Sequence, residues 1–163
     1  INLGATTTNI VVSEKEKPQL FRDLSIGGFT FAENIRKDLG ISSDDAEKLL
    51  KGIPLRDLPS EQVETALTSN IENLLEEVEK TFSFYETGEE KERKIEKIFL
   101  SGGLANIKDF PKFFEQKFKT ETEVFNPFLR IFFNEKKLDP IYSREMAPLF
   151  GVATGLATRK MEA

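Results

Sequence analysis

At the start of the chain, apolar and β-branched residues fall in short blocks: residues 1–3 (I-N-L), 8–12 (T-N-I-V-V) and 20–26. Such blocks predict three short strands, joined by a turn over residues 4–7 and a charged turn over residues 13–18 (S-E-K-E-K-P). Three consecutive strands of this kind form an antiparallel meander. The period then changes. Phe31, Ile35 and Leu39 are spaced by four and share one face of a helix, which Gly40 ends as a left-handed cap. Ser43, Asp44 and Asp45 start a second helix with acidic residues near its positive end. Pro54 and Pro59 punctuate the stretch after it. Val63, Leu67, Ile71, Leu74, Val78, Phe82 and Tyr85 then recur at spacings of three and four, one long amphipathic helix whose Glu-rich remainder faces water.

Residues 86–94 read as a solvated, charged loop. A strand is expected over residues 95–101, and the apolar run within residues 98–105 (I-F-L-S-G-G-L-A) stops at the adjacent Gly102 and Gly103. An unalternated apolar run predicts a strand buried on both faces. Asp109 is placed to cap a helix carrying Phe110, Phe113, Phe114 and Phe118, and residues 123–125 make a short strand before Asn126 and Pro127. Strand, helix, strand implies a parallel crossover. A terminal helix is predicted over residues 147–160, with Pro148 in its first turn. Leu149, Val152, Ala153 and Leu156 form one apolar stripe on it, and Gly151, Thr154, Gly155 and Thr158 form a second stripe of small residues.

Composition narrows the function classes. With 163 residues, 39% of them hydrophobic, the chain can bury one sizeable core and carry a small inserted lobe. Charged residues make up 31% with a net charge of -5, both signs interleaved, so the basic face that nucleic acid requires is missing. Cysteine and histidine are absent, which removes thiol chemistry, disulfides, Cys/His zinc sites and His-based triads. No apolar stretch approaches the roughly 20 residues that span a bilayer, and a cytoplasmic protein is the expectation. The chain opens without Met in what reads as the second half of a strand, and a fragment is expected.

Candidate chemistry lies in two glycine-bearing turns. Gly4 has no Cβ and lets backbone approach a ligand, while Thr6, Thr7 and Thr8 add hydroxyls to the amide donors of the turn; a phosphate fits there. An ordinary Thr-rich hairpin explains the same residues. Gly102 and Gly103, at the carboxyl end of a buried strand, leave room where α/β sheets bind ligands. They also suit a simple strand-to-helix turn.

Taken together, these two turns, I-G-G at residues 26–28, A-E-K-L-L-K-G at 46–52, N-P-F at 126–128 and A-P-L-F-G-V-A-T-G-L-A-T-R at 147–159 resemble the actin-like ATPase superfamily. Within it the wording is most similar to the PilM family of type IV pilus assembly proteins, which is related to the cell-division protein FtsA. The resemblance covers almost the whole chain, but only the C-terminal half of such a protein. It implies an α/β fold of the actin-like, ribonuclease H-like kind: a mixed sheet with a three-stranded antiparallel meander, a parallel crossover and a small inserted helical lobe. Residues 1–40 and 60–163 would form the second-half core (subdomain IIA type), ending in a helix that returns to the missing first half. Residues 41–59 would belong to the inserted lobe (IIB type).

The resemblance also implies a site. The hairpin turn, with Gly4, Ala5, Thr6 and Thr7, would hold the phosphates of ATP with Mg2+, and Gly102 and Gly103 would meet the sugar and base. Glu47 falls where relatives place Glu near the ribose or adenine, while the neighbouring family Lys is replaced by Leu50. Asn2 stands where the family has an Asp, and would touch a metal only through water. An amide is a poor general base, so slow or absent hydrolysis is expected, and Asn2→Asp should raise turnover. Gly4→Val should block phosphate and leave the fold largely intact. Glu33 and Asn34 either see the site or lie on a solvated helix face. The implied function is an ATP-binding scaffold of the pilus inner-membrane platform, cytoplasmic and peripheral. Its partners would be a PilN-like cytoplasmic peptide of a membrane protein and other platform or motor proteins, with self-association a further option. An active or filament-forming FtsA-type ATPase, and a non-nucleotide scaffold of type II secretion, are the alternatives.

Overall fold

A computed structural model describes residues 1–87, 93–130 and 140–159. Part of the expected loop over residues 86–94 and the last residue of the expected terminal helix, 160, lie outside this set.

The meander forms as its blocks predict. Strand β1 (Asn2–Leu3) pairs antiparallel with β2 (Thr8–Glu14), and β2 with β3 (Lys17–Leu24). β3 begins earlier than its apolar residues suggested, because a two-residue turn at Lys15 and Glu16 closes the hairpin with both residues at positive φ. Pro18, which cannot donate to a ladder, is tolerated because β3 is an edge strand. β1 also pairs in parallel with β4 (Lys97–Gly102), and β4 in parallel with β5 (Glu121–Val124), giving the sheet order β3-β2-β1-β4-β5. The sheet is therefore mixed, with the meander on one side of β1 and the parallel crossover on the other.

Six α-helices complete the described residues. Helix α1 (Gly28–Leu39) ends at Gly40, whose φ of 64° is the expected left-handed cap. Helix α2 (Ser43–Leu50) is capped by Ser42, whose Oγ accepts from the Asp45 amide. Helix α3 (Ser60–Glu86) is the long amphipathic element, buried at Ile71, Leu74, Leu75, Val78 and Phe82 among others. Helix α4 (Phe110–Phe118) crosses between β4 and β5. Asp109 does sit before it, but in the left-handed region (φ 60°) with no capping bond; its carboxylate pairs with Lys112 at 2.6 Å instead. After helix α5 (Pro140–Met146), a 3-10 turn (Ala147–Phe150) and helix α6 (Gly151–Thr158) stand where a single terminal helix over residues 147–160 was expected.

The core lies on one face of the sheet, where Leu3, Ile10, Val12, Ile98 and Leu100 meet α3 and the buried Phe110 and Phe114 of α4. Burying a side chain of this size contributes about 1.5–3 kcal/mol. A second, smaller cluster of Ile35, Ala46, Leu49 and Ala66 joins α1, α2 and the start of α3, and Leu50 packs against both clusters. The opposite face of the sheet is open in places: Val11 and Phe21, in register on β2 and β3, and Phe99 on β4 are exposed. β4 is thus not buried on both faces, because Phe99 retains 44% of its surface. Among the described residues, no helix is long and apolar enough to cross a membrane.

Candidate functional site

The turn between β1 and β2 is held from both sides. The Gly4 amide donates to Thr7 O at 3.0 Å, while the carbonyls of Gly4 and Ala5 accept from Gly28 N at 3.0 Å and Phe29 N at 2.8 Å. Two of the first amides of α1, which a helix cannot satisfy internally, are therefore consumed by the turn. Gly27 makes this clamp possible, since a Cβ there would lie 2.6 Å from Thr6 C and 2.7 Å from Ala5 O. Among the described residues, the amides of Ala5, Thr6 and Thr7 find no acceptor in the chain and remain as donors.

Beside this turn is a cavity of about 440 Å³. It brings together Asn2, Gly4, Ala5, Glu47, Gly102 and Gly103, six of the candidate residues, from three separate stretches of sequence. Thr6 and Thr7 share the turn but do not line the cavity, and Thr8 is turned inward, fully buried, its hydroxyl donating to Ile26 O at 2.8 Å. The sequence reading missed Gly28, Phe29 and Ala32 of α1, Lys51, Leu104, and Leu149 and Val152 near the chain's end as walls. Leu50, noted only as a replacement, is a wall too. The two glycines at the end of β4 separate in role. Gly102 has φ 88° and a Cβ there would lie 2.3 Å from Leu3 O, so the neighbouring strand requires glycine. At Gly103 a Cβ would meet, among the described residues, Leu149 Cδ2 at 3.7 Å, which is ordinary contact, so none of those residues demands its smallness. Gly4 is different again: a Cβ there would lie 2.8 Å from Thr7 O, so Gly4→Val must distort the turn itself and cannot leave the local fold intact.

Asn2 belongs to a polar ladder on the open face. Asn9 Nδ2 donates to Asp23 Oδ1 at 2.7 Å, Asn2 Nδ2 donates to Asn9 Oδ1 at 3.2 Å, and Ser101 Oγ donates to Asn2 Oδ1 at 3.3 Å. Glu47 pairs with Lys51 along α2 at 3.6 Å, and these are the charged side chains of the cavity wall. Glu33 and Asn34 do not line the cavity: Glu33 pairs with Arg36 and Lys37, and Asn34 donates to the buried Asn70 at 2.7 Å. Of the three unpartnered amides, only that of Ala5 belongs to a residue lining the cavity, whose wall at Gly103 carries no side chain. The fit to a metal is poor within this chain, since no group of three or more Asp or Glu gathers among the described residues. A larger cavity of about 660 Å³, between the end of β2 and the start of β4 beside Tyr85, contains none of the candidate residues and lacks a comparable turn.

The meander, the parallel crossover and the glycine turns beside β1 and β4 define an actin-like ATPase fold. The chain belongs to the family described as type IV pilus assembly protein PilM, which it matches over residues 1–161. Its structure is similar to a "PilM-PilN type IV pilus biogenesis complex", with a TM-score of 0.82 at 22% identity, over 99% of this chain and 45% of that one. It is also similar to the ethanolamine utilization protein EutJ from Carboxydothermus hydrogenoformans, with a TM-score of 0.66 at 20% identity, over 96% of this chain and 46% of that one. The chain thus spans less than half the length of either.

Proposed function

We propose that the complete protein is an ATP-binding scaffold of the type IV pilus assembly platform, and that this chain supplies one wall of its nucleotide site. The observation that carries the reading is the single cavity onto which the β1–β2 turn, α2 and the glycines at the end of β4 converge. In this reading the phosphates meet the free amides of the turn, and the sugar and base lie against Gly103, Leu104 and Leu50. Glu47 and Lys51 are within reach of the ribose side. Mg2+ would be held by the phosphates and water, with Asn2 contributing at most a hydrogen bond to that water. Hydrolysis is slow, because an amide at position 2 cannot accept a proton.

The remaining assignments follow the family. Residues 41–59 form part of a small lobe whose apolar cluster backs the cavity, and the exposed Val152 and Leu156 of α6 face the other half of the protein. The protein works at the cytoplasmic side of the inner membrane through a PilN-like partner; a structurally similar protein is solved as a PilM-PilN complex. Isothermal calorimetry of the complete protein with ATP tests the reading: binding supports it. Absence of binding in a folded protein would favour a scaffold without nucleotide, which the engaged amide of Asn2 also suits.

A further inference from the structure

We propose that Asp23, acting through Asn9, is a positioning residue of the cavity: it sets the orientation of the Asn2 amide and selects an amide over a carboxylate at position 2. The functional meaning rests on the nucleotide reading; the coupling itself rests on hydrogen-bond chemistry alone.

Asp23, Asn9, Asn2 and Ser101 lie in register across β3, β2, β1 and β4, with Asn9 opposite both Asp23 and Asn2, and Ser101 opposite Asn2. An ionised carboxylate can only accept, so the atom of Asn9 lying 2.7 Å from Asp23 must be its Nδ2. That choice turns Asn9 Oδ1 toward Asn2, where only a donor is acceptable, and the donor is Asn2 Nδ2 at 3.2 Å. Asn2 Oδ1 is thereby left facing Ser101, whose hydroxyl donates to it at 3.3 Å. One carboxylate on an edge strand thus dictates, through two amides, which atom the head of the turn presents.

A carboxylate at position 2 breaks this order. It cannot donate to Asn9 Oδ1, and if Asn9 turns over to donate to it, Asn9 Oδ1 then faces Asp23, acceptor against acceptor. A single Asn2→Asp change is therefore not the clean gain of a general base that the sequence suggests. Asp23→Asn supplies a donor at the far end, frees Asn9 to turn over and removes the conflict.

The test compares the complete protein with its Asn2→Asp, Asp23→Asn and doubly substituted forms by thermal melting as a function of pH. Among the described residues, the titratable groups facing position 2 are Asp23 across the ladder and Glu47 and Lys51 across the cavity. At pH 7, Asn2→Asp should melt about 2–4 °C lower, the shift expected for one lost hydrogen bond. The deficit should close as the pH falls to about 4, where a protonated carboxyl regains a donor, and it should be absent at pH 7 in the Asp23→Asn background. Melting of Asn2→Asp with the parent at pH 7, or a deficit that persists without the Asp23 carboxylate, would overturn the coupling. ATP calorimetry on the same proteins separates the two claims: an unbound parent removes the nucleotide reading, whereas the melting results judge the ladder independently.

Discussion

Gly102 lies against Leu3 so closely that a Cβ on the glycine would sit 2.3 Å from the Leu3 carbonyl oxygen, with φ at 88°. The junction of β1 and β4, which brings the two glycine-bearing turns to one cavity, is therefore closed backbone to backbone. Gly102→Ala should destabilise the protein by about 3 kcal/mol, from left-handed strain together with overpacking. Denaturant unfolding measures this directly, and a loss under about 1 kcal/mol would show that the strands separate more easily than the geometry allows.

The β2–β3 turn is a place where the chain accepts strain without an evident packing gain. Lys15 and Glu16 hold φ of 48° and 65°, in a two-residue turn that favours Asn-Gly. Replacing both, Lys15→Asn with Glu16→Gly, should stabilise the fold by about 1 kcal/mol and raise the melting temperature. An unchanged or lower melting temperature would mean that the turn differs in solution.

Acid should weaken the face of α1 that carries Glu33. The hydrogen bonds from Arg36 and Lys37 hold the Glu33 carboxyl down to about 2 from its ordinary 4.5. A depressed pKa stabilises the folded state above the ordinary value, and that contribution is lost as the pH falls from 4.5 toward about 2. Glu33→Gln should therefore melt slightly below the parent at neutral pH, with the difference closing over that window. The pair is exposed, so the shift is small. A difference that stays constant with pH would assign it to packing.

What the sequence made legible is what depends on near neighbours. The short apolar and β-branched blocks of β1 to β3, the four-residue spacing of Phe31, Ile35 and Leu39 before Gly40, and the long stripe of α3 are all local patterns, and each formed. Asp109 failed as a cap because its backbone is left-handed and Lys112 captures its carboxylate, neither of which a capping pattern reveals. Phe99 reads as core in an apolar run, but whether a second layer covers it is a tertiary matter. The site was legible only in part for the same reason. Its glycines stand out as punctuation, whereas Phe29, Ala32, Lys51 and Leu104 become walls only when distant elements converge. Gly27 has an ordinary extended φ, and its necessity appears only once Ala5 and Thr6 are placed against it.

The proposed function stands or falls with ATP binding at the cavity that Gly4, Glu47 and Gly103 line, and Gly103 is the sharpest probe of it because, among the described residues, its smallness serves no close contact. Calorimetric titration of ATP into the complete protein and its Gly103→Val form, each checked for an unchanged melting temperature, is the decisive measurement. The parent should bind ATP, and Gly103→Val should bind it at least about tenfold more weakly, a loss of ~1.4 kcal/mol. A folded Gly103→Val protein that binds ATP as well as the parent, or a parent that does not bind it, would contradict the assignment of this cavity to the nucleotide.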